Sequence, residues 1–271
     1  MKLTKYPRTR HLEGSRLQKG DLGDDKPLAE LFGKTLIVEE KLDGANCAVS
    51  FNKQGELQLQ SRGHYLTGGY RERHFDLLKT WASVHSNTFR SVFGARYVMF
   101  GEWLYAKHTS YYDALPHFFL EFDLFDRQTS QFLSTDRRKK LLSGLPIMPV
   151  PVLHKGEVGS VDEMNALIKP SLYKSAQWRE HMEETAKASG NRMEFVERQT
   201  EATDLAEGLY VKLEDAECVQ ERFKFVRDGF IQTLTDSDSH WHSRPILPNQ
   251  LADGVDIFAP VLGVKGAYDA C

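Results

Sequence analysis

Cysteine is scarce in this chain. Cys47, Cys218 and Cys271 are odd in number and far apart, which excludes a disulfide framework as the basis of the fold. No Cys/His spacing suits zinc; the nearest approach, His240-Trp241-His242, offers two imidazoles and no thiolate. No apolar run reaches the length of a membrane span. No apolar segment follows the charged Met1-Lys2-Leu3-Thr4-Lys5, so no secretory leader is expected and a cytoplasmic, reducing location is. Neither sign of charge dominates: 35 Lys and Arg stand against 38 Asp and Glu, a formal net charge of −3. That excludes a globally basic surface but not a local cationic track. Repeats, low-complexity segments and a Gly-x-x-x-x-Gly-Lys-Ser/Thr phosphate loop are also missing.

What remains is an ordinary globular composition, 41% hydrophobic over 271 residues, enough for one large domain or a main domain with an appendage. Residues 1–33 are polar and read as an N-terminal arm. From Lys34 short β runs alternate with turns. Asn52-Lys53-Gln54-Gly55 is a hairpin turn between strands at 46–51 and 56–61, with Gly55 supplying the positive φ. Residues 70–93 have helical spacing, and strands follow at 97–103 and 118–126 around a long Tyr/His-rich loop of the kind that carries function. Residues 127–206 read as a helical insertion: a basic helix near 136–142, a strand near 150–153 and helices across 161–188. The run Arg137-Arg138-Lys139-Lys140 reads equally as a solvated face or a binding patch. Strands near 209–213 and 221–226 end the main unit at about 227, and 228–271 form a short tail.

The segment that carries chemistry is Glu39-Glu40-Lys41-Leu42-Asp43-Gly44-Ala45-Asn46, at the end of the apolar run Leu36-Ile37-Val38. A lysine between carboxylates, after a strand and before a Gly turn, is placed to act as a nucleophile once its amine is neutral. The segment resembles motif I, Lys-x-Asp-Gly, of the covalent nucleotidyltransferases: ATP-dependent DNA and RNA ligases and capping enzymes. Further stretches resemble that superfamily's other motifs in the right order: Ser61-Arg62-Gly63, Phe100-Gly101-Glu102-Trp103, Phe119 through Asp126, Glu207-Gly208-Leu209-Tyr210-Val211-Lys212, and Arg222-Phe223-Lys224-Phe225. The resemblance covers about 34–227. Asn46, where capping enzymes and DNA ligases have Arg, is similar to RNA ligases of the T4 RNA ligase 2 type. Tyr6 through Ser15 and Leu104-Tyr105-Ala106-Lys107-His108 look like a bacterial and phage group of them.

The resemblance implies an α+β fold of two antiparallel-rich sheets, a nucleotidyltransferase (ATP-grasp-like ligase) domain with flanking helices, and no OB domain in the short tail. It implies Lys41 as the nucleophile that takes AMP from ATP. Asp43 would orient the lysine or hold a metal-bound water, and Gly44 would let the backbone approach the nucleotide. Glu40 would sit at the adenine edge, with Asn46 beside the nucleotide. Arg62 and Glu102 would engage ribose hydroxyls or a phosphate. Phe122 would stack on the purine, with Phe119, Phe125 and Tyr112 as rivals. Glu207 would act through Mg²⁺ or Mn²⁺, and Lys224 with Arg222 would neutralise the α-phosphate. Arg222 stands where relatives often have lysine, which alters reach and geometry. Lys212 reads as a phosphate contact or a strand-edge charge. His64, His108, His117 and His240 invite acid–base readings that the family chemistry does not require, and Trp241 with Arg244 would grip RNA or pack in the core.

The implied function is ATP-dependent ligation of RNA with 5′-phosphate and 3′-hydroxyl ends, in RNA repair. A separate kinase or phosphatase would heal the ends, and no membrane is involved. The alternatives are a minimal DNA ligase, a capping guanylyltransferase and a non-catalytic RNA-binding relative.

Overall fold

The computed structural model describes residues 3–17, 25–230 and 245–260. In chain order the strands are β1 (Arg10–His11), β2 (Leu36–Lys41), β3 (Ala45–Phe51), β4 (Leu57–Ser61), β5 (Tyr97–Trp103), β6 (Phe119–Asp126), β7 (Gln131–Phe132), β8 (Met148–Pro149), β9 (Val152–Gly156), β10 (Gly208–Glu214) and β11 (Val219–Val226). The helices are α1 (Asp76–Val84), α2 (Ser86–Phe93), α3 (Thr135–Leu142), α4 (Val161–Ala166), α5 (Trp178–Ala188) and α6 (Met193–Arg198). One sheet has the order β1-β11-β10-β2-β9; the other runs β4-β3-β5-β6-β7, with β8 parallel to β6. All other pairings are antiparallel except β1 with β11. The fold is the expected α+β pair of antiparallel-rich sheets.

Strand β2 shows how the sequence builds these layers. Successive side chains of a strand point to opposite faces, and this central strand is covered on both: Leu36, Ile37, Val38, Glu39 and Glu40 are all buried. Leu36 and Val38 join Leu209, Val211, Phe223 and Phe225 on the back of the sheet. Leu12, Leu28, Leu31 and Met164 cover that face. The N-terminal arm is therefore woven into the sheet, with Leu12 N–H donating to the Lys224 carbonyl (3.0 Å). The front face looks towards the second sheet, across a layer of Tyr6, Ala48, Val98, Phe100, Phe132 and Tyr210. Behind the second sheet, Cys47, Val49, Met99 and Phe119 pack with Trp81 of α1 and Phe89 of α2. The 70–93 helical stretch is broken at His85 into α1 and α2.

Residues 245–260 clamp the loop between β5 and β6. Asn249 accepts the Tyr112 N–H through its side-chain oxygen (2.9 Å) and donates to the Leu104 carbonyl (2.6 Å). The loop is thereby held from outside while Asp43 holds it from inside.

Candidate active site

Lys41 ends β2 and stands opposite Gly208 in β10, so Glu207, one residue earlier, meets the lysine. Lys41 Nζ lies 2.7 Å from Glu207 Oε1, and the carboxylate is almost wholly buried. Glu102, from β5 of the second sheet, accepts the Gly44 N–H at 3.1 Å. Asp43 Oδ2 accepts the N–H groups of Thr109 and Ser110, each at 2.6 Å, and the Asp43 N–H donates to the Tyr112 hydroxyl (3.0 Å). Two buried acceptors have no hydrogen-bond partner here: Glu207 Oε2 and Asn46 Oδ1. An unsatisfied buried polar atom costs free energy, so both point to something that arrives later.

One amine thus faces several carboxylates, and their protonation follows. Burial opposes the Lys41 charge, but Glu207, Glu102 and Asp43 outweigh it and hold the amine above the usual lysine range. Burial pushes Glu102 up to about 8 and Glu207 to about 7, with Lys41 pulling both the other way. At rest the Lys41 amine is therefore an ammonium, and only a change of field would make it neutral.

The raised carboxyl groups set a pH dependence. A group protonated more readily folded than unfolded stabilises the fold fully at low pH and loses that contribution as pH rises through its folded value. Glu207, Glu121 and Glu102, at about 7, 7 and 8, act in the same direction. His117, lowered to about 4, and Lys174, lowered to about 8, act oppositely outside the interval from 6.5 to 8. Within it the ligand-free protein is expected to lose about 3 kcal/mol, or several degrees in Tm. Glu102→Gln should flatten the decline; a Tm that is level or rising across this interval in the unsubstituted protein would contradict the assignment.

Gly44 also has a reason within the fold itself. A Cβ there would lie 2.7 Å from the Trp103 carbonyl oxygen and 2.8 Å from Leu104 Cδ2. The close approach is thus to the end of β5, and it seats Glu102. Gly44→Ala should cost about 1–3 kcal/mol by overpacking, read in a urea melt.

Several residues expected at the site have partners within the protein. Glu40 faces the opposite side of β2 from Lys41, where its carboxylate accepts from the Ser171 hydroxyl (2.5 Å) and Leu172 N–H (3.3 Å); burial raises it to about 6. Lys212 is no exposed edge charge: it is buried, 2.8 Å from Glu39, 3.3 Å from Asp123 and bonded to the Phe122 carbonyl (2.5 Å). Arg222, opposite it in β11, lies 3.8 Å from Asp123 with its guanidinium 3.7 Å over the Phe132 ring. Both cations neutralise the inter-sheet layer rather than the Lys41 pocket. Lys224, two residues on, is near enough to favour the Glu207 carboxylate. Phe122 is half-buried, its ring 5.3 Å from Tyr6 and 6.1 Å from Tyr210. Its rival Phe119 stacks on Trp81 in the core behind the sheet. Arg62 is exposed past the end of β4.

His117 is buried and held neutral by burial, its Nδ1 accepting from Phe119 N–H (2.8 Å). His64 pairs with Ser61 at 2.9 Å, and His108 Nδ1 lies 4.0 Å from Asp43. His240, Trp241, His242, Arg244 and Cys271 lie outside the described residues. Sequence reasoning missed Glu39, Glu121, Asp123, Arg138, Tyr6 and Ser171. Glu39, Glu121 and Asp123 sit inside quoted motifs; strand alternation was the one signal that could have placed them on inner faces.

A model of the RNA ligase family matches residues 34–226. The chain belongs to that family. No match is found among curated proteins. Among solved structures, a mutant Naegleria gruberi RNA ligase with ATP and Mn is similar at a TM-score of 0.52 and 17% identity, over 84% of this chain and 62% of that one. The same ligase with PPi is similar at 0.51 and 18%, over 84% and 62%. This chain therefore spans less than two thirds of those RNA ligases, and at such identity the likeness is one of fold.

Proposed function

We propose that this chain is an ATP-dependent RNA ligase of the T4 RNA ligase 2 type. In this reading Lys41 carries AMP as a covalent phosphoramidate. The observation that carries it is the Lys41–Glu207 pair at 2.7 Å inside a pocket walled by Glu102 and Asp43, on a chain of the RNA ligase family. The Naegleria gruberi structures with ATP and Mn support the choice of nucleotide and of a divalent ion.

The donor set fits Mg²⁺ or Mn²⁺. Glu207 Oε2 is a buried hard oxygen without a partner. Among the described residues no three His, Cys, Asp or Glu side chains form a metal cage; one or two carboxylates with waters and substrate phosphates are the usual holders of Mg²⁺. When bound, the ion supplies positive charge that disfavours the ammonium and polarises the α-phosphate. Glu207 Oε1 is the acceptor at hand for the Lys41 proton. Lys41 Nζ then forms its bond to the α-phosphorus as the bond to pyrophosphate breaks. Lys224 offsets charge on the α-phosphate. Arg62 and Glu102 engage ribose hydroxyls or a phosphate, Phe122 stacks on the purine and Asn46 lies beside the nucleotide, while Asp43 anchors the loop wall. AMP next passes to a 5′-phosphate, and a 3′-hydroxyl displaces it. Positioning and charge neutralisation carry each step.

RNA repair is the setting we infer. We also infer an end-healing kinase or phosphatase as partner, and no described helix is long and apolar enough to cross a membrane. The test is incubation with α-labelled ATP and Mg²⁺ or Mn²⁺, beside labelled GTP, followed by sealing of RNA and DNA nicks. An acid-labile, ATP-specific adduct and sealing of RNA support the reading. No adduct from nucleotide-free protein would sink it in favour of a non-catalytic relative, and a preference for DNA would favour the minimal DNA ligase.

A further inference from the structure

Behind the loop that Asp43 holds there is a second cavity, of about 400 Å³, within the size range of small-molecule sites. Lys107 and His108 line one side, and Asn191, Arg192, Phe195 and Gln199, from the α5–α6 turn, α6 and the residue that caps it, line the other. Lys107 Nζ ties the walls together, donating to the Gln199 carbonyl (2.7 Å) and the His108 carbonyl (3.2 Å). The Asn191 side-chain nitrogen is a buried donor with no hydrogen-bond partner. At the rim Phe195 is 44% exposed, with the Arg192 and Arg198 guanidiniums 4.8 and 5.6 Å from its ring centre. Glu194 pairs with Arg192 at 2.8 Å, but both are solvent-exposed, and such pairs are weak.

This combination suits one ligand class. Cations in the wall, a buried amide donor and an exposed aromatic beside two guanidiniums are what single-stranded nucleic acid uses: charge along the backbone, a ring under the base. An acidic peptide would use the cations but has no need of the ring. His108, in the cavity wall, has its Nδ1 4.0 Å from Asp43, the residue two places after Lys41.

We propose that this cavity is a subsite for one nucleotide of a single-stranded RNA end, with its base on Phe195 and its phosphate towards Lys107, His108 and Asn191. The assignment rests on the ligase reading above and adds where the strand is held.

The test is anisotropy of a short labelled 5′-phosphorylated oligoribonucleotide, titrated with the wild-type chain, Phe195→Leu, Phe195→Tyr and Arg192→Gln. Phe195→Leu keeps an apolar side chain but loses the stack, and should weaken binding about tenfold; Phe195→Tyr should restore it. Arg192→Gln should lower the salt slope by about 0.7. Leu and Tyr variants that both bind like wild type would overturn the subsite, as would equal competition by an acidic peptide. Adduct formation by the wild type from labelled ATP is read in parallel. With an adduct present and RNA affinity indifferent to Phe195, the subsite alone fails; with no adduct, the ligase reading fails whatever Phe195 does.

Discussion

Lys41→Met is expected to form no covalent nucleotide adduct, a fall of at least about 10³-fold in the rate of labelling, because the bond to AMP has no other atom on which to form. Lys212 cannot substitute, being committed to Glu39, Asp123 and a carbonyl. The same change has a second signature. Lys41 is the cation that pulls Glu207 and Glu102 towards ionisation, so its loss leaves several carboxylates facing one another. They should protonate at still higher pH, and the decline of Tm between pH 6.5 and 8 should steepen. A surface lysine in a casual ion pair would show neither effect. Labelling that persists in Lys41→Met would move the nucleophile elsewhere; an unchanged melting profile would remove Lys41 from the carboxylate cluster.

Arg138→Met is expected to be the most destabilising single change, at about 3 kcal/mol in a urea melt. Arg138 is buried between the sheets, 2.7 Å from Glu39 and 3.4 Å from Glu121. Removing one partner of a buried ion pair leaves an uncompensated charge, at a cost of about 3–5 kcal/mol. The lower end applies for two reasons. Glu39 keeps Lys212 at 2.8 Å, and Glu121, raised to about 7 by burial against the pull of Arg138, can take up a proton. The loss should accordingly be larger at pH 8 than at pH 6, and adding Glu121→Gln should recover part of it. A single variant as stable as the parent would mean that the inter-sheet charges are solvated after all. Because Glu39 shares the front face of β2 with Lys41, the variant should also lower adduct formation in the protein that remains folded.

These two residues mark where reading along the chain succeeded and where it stopped. Lys41, its strand and the Gly turn after it were legible because they are local: an apolar run, a charged end and a glycine occupy adjacent positions. The hairpin at Asn52–Gly55 was legible for the same reason, and Gly55 does take a φ of 79°. Arg138 was not legible. In sequence it belongs to a basic run with no feature to separate it from Lys139 or Lys140. Only the packing of α3 against β2 and β6 makes it a buried counter-ion. Glu39 and Glu40 are neighbours of the same type, yet β2 turns one towards Arg138 and Lys212 and the other towards Ser171.

Local sequence was enough for a strand-end lysine between carboxylates, the order of the motifs and the alternation that makes two sheets. Periodicity and turn chemistry act over a few residues, so a linear reading can reach them. The tertiary structure alone decided which charges surround that lysine and which are spent between the sheets. A buried charge must find its partner wherever the chain returns to it, and for Lys41 that partner is Glu207, at the entry to β10, which reaches β2 from far along the chain.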